Sequence, residues 1–296
     1  MTAGTSNLRI GFIGAGQLAT PLAWSLARAG YAIVGAASRT PASAARLAGG
    51  VTTAKPYDDA QHLVDDADLV LIAVPDDAIA TVARSVRWGA RHGVVHCSGA
   101  TEVSALAPAA AAGASIGGFH PMQSFTSTEA AMKSLPGCTV GIEAREPLLG
   151  VLSGMAQALG CHRIELPPGA RALYHASGSF ASSFLVALLN DALALWSAFG
   201  VGREEAFRAL LPLMKGTVAA IEANGPVRSL AGPIARADVG TVERHLAALG
   251  DKAPDLLATY LDIARRSLPI AEATGGADKG KLEGLRALLE RCAAQQ

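Results

Sequence analysis

The sequence has no excess of charge of either sign and few cysteines. Lysine plus arginine and aspartate plus glutamate number 25 each, and this balance argues against nucleic acid or an anionic membrane as the main partner. The cysteines form no C-x-x-C pair, and no histidine spacing near them suits zinc. We therefore expect no metal site and no disulfide framework, but thiols in a reducing compartment. The four cysteines are Cys97, Cys138, Cys161 and Cys292.

A leader segment and long apolar runs are also missing. The first residues, MTAGTSNLR, lack a basic segment followed by an apolar core, so we expect no signal peptide. The longest apolar stretch, 180–199, is interrupted by serines and by Asn190 and Asp191, so we do not expect it to cross a membrane. These features predict a cytoplasmic protein. Its 296 residues, half of them hydrophobic, suffice for two domains.

A glycine-rich turn near the start of the chain predicts a dinucleotide site. The run RIGFI leads into GAGQLA at 14–19 and then into a helical pattern, which is the strand–turn–helix order of such sites. Gly14 permits the tight turn, Gly16 lets the backbone approach a pyrophosphate, and Ala19 lets the helix pack on the strand. The alternative is a purely structural glycine turn. The predicted cofactor contacts in this turn are Gly14, Gly16, Gln17, Leu18 and Ala19.

The end of the second predicted strand indicates which dinucleotide binds. The strand YAIVGAA at 31–37 is followed by Ser38, Arg39 and Thr40. An NAD site usually has a carboxylate there for the ribose 2′-hydroxyl, whereas a 2′-phosphate needs cations and hydroxyls. The sequence therefore favours NADP(H), the alternative being a solvated arginine in a turn.

Alternating strand and helix signals continue to about residue 166 and predict a Rossmann-type, doubly wound, mostly parallel sheet with helices on both faces. The carboxyl ends of such strands line the cofactor crevice. Strands at 68–74 and 93–97 end there, so we expect Val74, Pro75 and Ser98 to contact the cofactor.

The segment Pro167-Pro168-Gly169 ends the alternation, and only helical patterns follow. We therefore predict an α/β NADP-binding domain over residues 1–167 and an all-α substrate and dimerisation domain over 168–296. Within the second domain we expect one long helix over 170–199. A further helix over 204–224 should be kinked at Pro212, because proline removes a backbone hydrogen bond.

Since a nicotinamide supplies hydride, the chain must supply a proton donor and substrate contacts. His120 and Gln123 follow a strand end on the ligand side of the sheet, and His175 and Ser179 share one face of the long helix. We expect His120 or His175 to donate the proton and Gln123 and Ser179 to contact substrate. The alternatives are a histidine that only fixes its turn and small polar residues that ease helix packing.

Two cations of the helical half are candidates for a substrate carboxylate. Lys215 follows the predicted kink at Pro212 and would be aimed inward, and Arg236 can hold a carboxylate with two parallel hydrogen bonds. Either side chain could equally be solvated. We include Lys215 among the candidate catalytic residues and Arg236 among the candidate substrate contacts.

The chain resembles the 6-phosphogluconate dehydrogenase-like superfamily, which includes ketopantoate reductase, pyrroline-5-carboxylate reductase and deazaflavin-dependent NADP reductase. More closely, it is similar to a bacterial family that joins a Rossmann-like NADP domain to a C-terminal domain of unknown function. The motifs that carry this resemblance span nearly the whole chain. They are HCSGA at 96–100, FHPMQSF at 119–125, LYHASGSFAS at 173–182, LLPLMKGT at 210–217 and GPIARADVGTVERHL at 232–246.

The resemblance implies NADPH-dependent reduction of a small 2-oxo acid, with ketopantoate first, and a homodimer formed through the helical domain. The alternatives are a pyrroline-5-carboxylate-type imine reductase and a non-catalytic NADP(H)-binding regulator. The sequence departs from the relatives at several positions. His175 and Ser179 stand where β-hydroxyacid dehydrogenases carry Lys-x-x-x-Asn, Ala237 replaces an expected glycine, and Ala220 replaces an expected asparagine.

Overall fold

The computed structural model describes residues 8–295 and contains one eight-stranded sheet. The strand order is β3-β2-β1-β4-β5-β6-β7-β8, and every neighbouring pair is parallel except β6 and β7. The predicted mostly parallel sheet is thus confirmed. The strands are β1 (Arg9–Ile13), β2 (Ala32–Ala37), β3 (Lys55–Tyr57), β4 (Leu69–Ile72), β5 (Gly93–His96), β6 (Ser115–Pro121), β7 (Thr139–Ala144) and β8 (His162–Glu165).

The chain folds into two compact units, Met1–Ser183 and Phe184–Gln296, here called the first and second unit. This division lies later than the predicted one after residue 167, because the helix that follows Pro167-Pro168-Gly169 packs with the sheet. The helices of the first unit are α1 (Ala19–Arg28), α2 (Pro41–Gly49), α3 (Ala60–Asp66), α4 (Asp76–Ser85), α5 (Ala107–Ala111), α6 (Thr128–Ser134), α7 (Leu148–Ala158) and α8 (Arg171–Ala181).

Side chains alternate between two cores, one on each face of the sheet. Phe12, Leu71 and Val95 lie in one core, and their neighbours Ile13 and Ile72 lie in the other. This is the period-two pattern of strands buried on both faces. Helices therefore cover both sides, and the strand ends are left for the site. The described cysteines are free thiols.

The second unit is helical, as predicted, and has its own core. Leucines from three helices form that core, among them Leu246, Leu261 and Leu285. The helices are α9 (Ser183–Ser197), α10 (Arg203–Arg228), α11 (Val239–Lys252), α12 (Leu257–Thr274) and α13 (Lys279–Ala293).

Two predictions about these helices were wrong. The single helix predicted over 170–199 is interrupted at Ser182, whose backbone is not helical (φ −131°, ψ −80°). The backbone stays helical at Pro212, where the interruption was predicted, and the non-helical residue of α10 is Gly225. Gly225 adopts its φ of +75° at little cost, because glycine has no Cβ. Pro212 removes one backbone hydrogen bond, but the helix continues through it.

Ala237, which stands in place of an expected glycine, has a left-handed backbone (φ 50°) and is buried. It is the one non-glycine residue with positive φ in the described part of the chain. The expectation of glycine therefore has a conformational reason, and alanine occupies the position at a steric cost.

The helical stretch 171–197 is long and apolar enough, by length and composition alone, to cross a membrane. Its most apolar 18-residue window has a mean hydropathy of 1.5, and 6% of that window is buried. The interruption at Ser182 lies within this stretch. An apolar helix face that pairs with another protein surface passes the same test, so these two properties are weak evidence for a span.

Candidate active site

The glycine turn opens a cleft at the carboxyl end of β1. Gly14 has φ +98°, and a side chain there would overlap the carbonyl oxygen of Ala73. At Gly16 an added Cβ would meet no atom within 4 Å among the described residues, so the backbone is open on that side. The helix α1 then begins at Ala19 with no acidic residue in its first turn. Exposed backbone and an uncompensated helix N-terminus fit a pyrophosphate.

The cleft has a volume of about 590 Å³ and is lined by seven of the predicted cofactor residues. These are Gly14, Gly16, Ser38, Arg39, Thr40, Val74 and Pro75. Gln17 and Leu18 continue the same turn, and Ala19 is buried at the start of the helix. Ser98 lies at the end of a neighbouring strand and does not line this cleft.

The end of the cleft next to β2 suits a phosphate group. Arg39 and Thr40 are exposed there, and the Ser38 hydroxyl accepts a hydrogen bond from the Thr40 backbone N–H (3.3 Å). Ser43 also lines the cleft, as does one carboxylate, Asp58. A guanidinium with three hydroxyls is the donor set expected for a 2′-phosphate.

Sequence reasoning missed Arg46, which holds the glycine turn from α2. Its Nη2 donates to the carbonyl oxygen of Ala15 at 3.2 Å. A basic residue in the last turn of a short helix is common, so nothing in the sequence marked this one.

Beyond β5 the chain forms a tight turn around Ser98. The Ser98 hydroxyl donates to the Asp76 carboxylate (2.8 Å) and accepts from the backbone N–H groups of Ala100 (3.2 Å) and Thr101 (2.9 Å). This hydroxyl is therefore engaged within the protein. Its structural role is to join the N-terminus of α4 to the end of β5.

A buried ion pair lies directly behind this turn. The Arg171 side chain is fully buried, and its Nε donates to Glu143 Oε2 at 2.7 Å. Its Nη1 donates to the Ser98 carbonyl oxygen at 2.8 Å. Any side chain at Gly118 would overlap the guanidinium, so glycine makes room for it. Arg171 thus ties the first residue of α8 to β7 and to the turn after β5.

Two histidines meet over Gly99, the residue after Ser98, and a tyrosine packs against one of them. A methyl group at Gly99 would overlap Nδ1 of His175 and lie 2.8 Å from Cε1 and 2.9 Å from Nε2 of His120. The two imidazole rings have centroids 5.5 Å apart at 77°. The His120 ring also stands at 86° to the Tyr174 ring, with the same centroid spacing. The structure therefore brings together the two histidines predicted as alternative proton donors.

The environments of the histidines near β5 favour their neutral forms. Burial lowers the pKa of His120 to about 4, and the charges of His175 and Arg171 act in the same direction. Burial likewise lowers the pKa of His96 to about 3. Both rings are therefore neutral at pH 7, because burial disfavours the imidazolium, and at His120 this outweighs the opposite effect of the Asp76 carboxylate.

The side chains of the other predicted substrate residues make no described hydrogen bond to the His120–His175 pair. The Gln123 amide is engaged locally, donating to the Ser134 carbonyl (3.3 Å) and accepting from the Ser124 N–H (2.8 Å). Ser179 is half-buried one helical turn beyond His175. Lys215 and Arg236 are exposed and belong to the second unit. Their roles stay predictions.

Two family models match the chain, and each includes part of this site. Residues 9–99 match the family described as NADP oxidoreductase, coenzyme F420-dependent, and residues 138–267 match a domain of unknown function, DUF2520. The chain joins these two domains. It is an NADP-dependent oxidoreductase. The predicted enzyme class, cofactor and two-domain resemblance are confirmed.

Solved structures agree with this family. An NADP oxidoreductase-like protein from Bacteroides fragilis is 26% identical with a TM-score of 0.73, covering 91% of this chain and 100% of its own. A Thermotoga maritima protein is 25% identical with a TM-score of 0.74, covering 90% and 99%. An imine reductase from Pseudomonas sp. is 19% identical with a TM-score of 0.63, covering 91% and 99%, and shows the fold alone. No curated protein matches.

Proposed function

We propose that this oxidoreductase uses NADPH to reduce a small C=O or C=N compound at the His120–His175 pair. The observation that carries the proposal is the meeting of these two imidazoles over Gly99, at the carboxyl end of a parallel strand. Ligands of open α/β sheets bind at this edge. Glycine at position 99 leaves room that any side chain would fill.

The chain's own residues divide the remaining work. NADPH, held at the glycine turn and at Ser38, Arg39 and Thr40, supplies hydride when bound. Burial keeps His120 neutral at pH 7, so it carries no imidazolium proton to give away. We therefore assign the proton donor to its neighbour His175. The cations Lys215 and Arg236 of the second unit are proposed to hold a substrate carboxylate, as the sequence predicted.

Two substrate classes remain as candidates. The sequence resemblance favours a 2-oxo acid, with ketopantoate first. A cyclic imine acid such as pyrroline-5-carboxylate is the second candidate, since the fold matches an imine reductase over most of both chains. Both substrates are small and carry a carboxylate.

The first test measures NADPH oxidation against ketopantoate, other 2-oxo acids and cyclic imines. His175→Asn is expected to lower kcat by about 10²–10⁴-fold on the preferred substrate, the usual contribution of a positioned acid. The affinity for NADPH should change little, because His175 does not line the cleft at the glycine turn.

The matched control is His62→Asn, an exposed histidine on α3. It should leave both kcat and NADPH affinity unchanged. If His175→Asn and His120→Asn both turn over at the unaltered rate, the assignment of chemistry to this pair is wrong.

The homodimer predicted from the resemblance is proposed to form through the second unit. On α9 and α10 large apolar side chains are exposed, including Val186 (66%), Leu213 (66%) and Val218 (56%). Apolar exposure on this scale is typical of an interface. Light scattering on the purified chain should give twice the monomer mass of 30.1 kDa, and the monomer mass at micromolar concentration would refute the dimer.

A further inference from the structure

The contacts of Tyr174 bear on which atoms of His120 carry a proton. The Tyr174 hydroxyl lies 3.1 Å from His120 Nδ1 and 3.2 Å from the His120 carbonyl oxygen. A phenol has one proton to donate, and a carbonyl oxygen can only accept. Burial raises the pKa of Tyr174 above its ordinary value, so the phenol keeps this proton at neutral pH.

Only one arrangement places a proton in both contacts. If the Tyr174 O–H donates to the carbonyl oxygen, Nδ1 of His120 must carry a hydrogen and donate to the phenol oxygen. If the O–H instead donates to Nδ1, the phenol and carbonyl oxygens face each other at 3.2 Å with no proton between them. A partly buried contact between two acceptors is unfavourable, so the first arrangement is preferred.

The opposite nitrogen of His120 is then a bare acceptor. His120 Nε2 has no hydrogen-bond partner among the described residues, and it is not among the polar atoms sealed from solvent there. It lies beside Gly99 and the His175 ring. By contrast, both nitrogens of His96 are sealed and unpartnered.

We propose that Tyr174 fixes His120 as the Nδ1–H tautomer, so that Nε2 presents a lone pair to the substrate and the site takes an iminium in preference to a ketone. This inference rests on the proposed function and chooses between its two substrate classes. An iminium nitrogen carries an N–H that can donate to Nε2. A ketone oxygen carries only lone pairs, which Nε2 repels.

The step balances without a proton from His120, because in the proposed scheme His175 gives the nitrogen its proton when the neutral imine becomes the iminium. Hydride forms the new C–H bond, the C=N π pair becomes the nitrogen lone pair, and the N–H remains donated to Nε2. The product is a secondary amine, and the reductant is the enzyme's own NADPH. Tyr174 acts through His120 and is therefore a positioning residue.

The tautomer is measured directly by ¹⁵N NMR of histidine-labelled protein at pH 7, with the His120 signals assigned by their loss in His120→Asn. We expect a protonated Nδ1 and an unprotonated Nε2. In Tyr174→Phe the protonation pattern should shift toward Nε2–H. A protonated Nε2 in the unaltered protein would overturn the proposal.

A second histidine–tyrosine pair supplies the control. His245 Nδ1 lies 2.9 Å from the Tyr260 hydroxyl in the second unit. Tyr260→Phe should leave the His120 signals unchanged, whereas Tyr174→Phe should change them. Equal effects of the two variants would show a general structural perturbation and would count against the proposal.

The substrate class is tested by binding to the NADP⁺-loaded protein. Saturating proline, the secondary amine formed by reducing a cyclic imine acid, should move the His120 Nε2 signal, and a 2-oxo acid should not. No movement with proline, or movement with the 2-oxo acid alone, would overturn the iminium assignment.

The kcat/KM of Tyr174→Phe on the imine should fall about tenfold. Because the NMR readouts need no catalysis, failure of the proposed reaction is recognised separately.

Discussion

Arg171→Met is expected to lower the free energy of unfolding by about 3–5 kcal/mol, the usual cost of removing one partner from a buried ion pair. The loss leaves the Glu143 carboxylate, 13% exposed, without its cation. It also leaves the Ser98 carbonyl without its side-chain donor. Urea unfolding monitored by circular dichroism measures the change.

The chain offers a matched control and a rescue. Arg163 pairs with Glu165 at 2.6 Å, but the two side chains are 49% and 56% exposed. Arg163→Met should therefore cost less than about 1 kcal/mol. Adding Glu143→Met to Arg171→Met should recover part of the loss, because no unpaired charge remains buried. Equal costs for Arg171→Met and Arg163→Met would mean that burial does not govern the strength of the Arg171 pair.

Arg39→Asp is expected to weaken NADPH binding about 100-fold or more, the value of the charge-assisted hydrogen bonds that the variant loses. The new carboxylate also repels the 2′-phosphate. NADH affinity should stay the same or rise, since its 2′-hydroxyl can donate to an aspartate at this position. Fluorescence titration with each coenzyme gives both dissociation constants.

Arg28→Asp is the charge-matched control for this experiment. Arg28 is exposed at the end of α1 and does not line the cofactor cleft. The same change of net charge there should alter NADPH affinity little, because screening weakens interactions between distant exposed charges. A parallel loss of NADPH and NADH affinity in Arg39→Asp would remove Arg39 from the 2′-phosphate site.

The fold was predictable where local pattern and long-range packing agree. The glycine turn, the apolar strands and the helix starts are short-range signals. The observed sheet contains the strands that these signals predict. The break at Ser182 and the intact helix at Pro212 were not predictable in this way. Both residues are exposed, and no signal in the local sequence marks either outcome.

The candidate site was predictable only in part for a related reason. His120 and His175 are predicted from the sequence because one follows a strand end on the ligand side of the sheet and the other shares a helix face with Ser179. The Arg171–Glu143 pair joins residues 28 apart, and each is an ordinary charge in the sequence. Tyr174 directly precedes His175 in the sequence, but its contact with His120 exists only once α8 packs on the sheet.

Gly118 and Arg171 also constrain each other's evolution. A guanidinium fills the space that any larger residue at position 118 would need. A first mutation at Gly118 would meet the full steric conflict, whereas the same mutation after loss of the arginine would meet an empty volume. Substitutions at the two positions should therefore be accepted in one order only, with the arginine lost first.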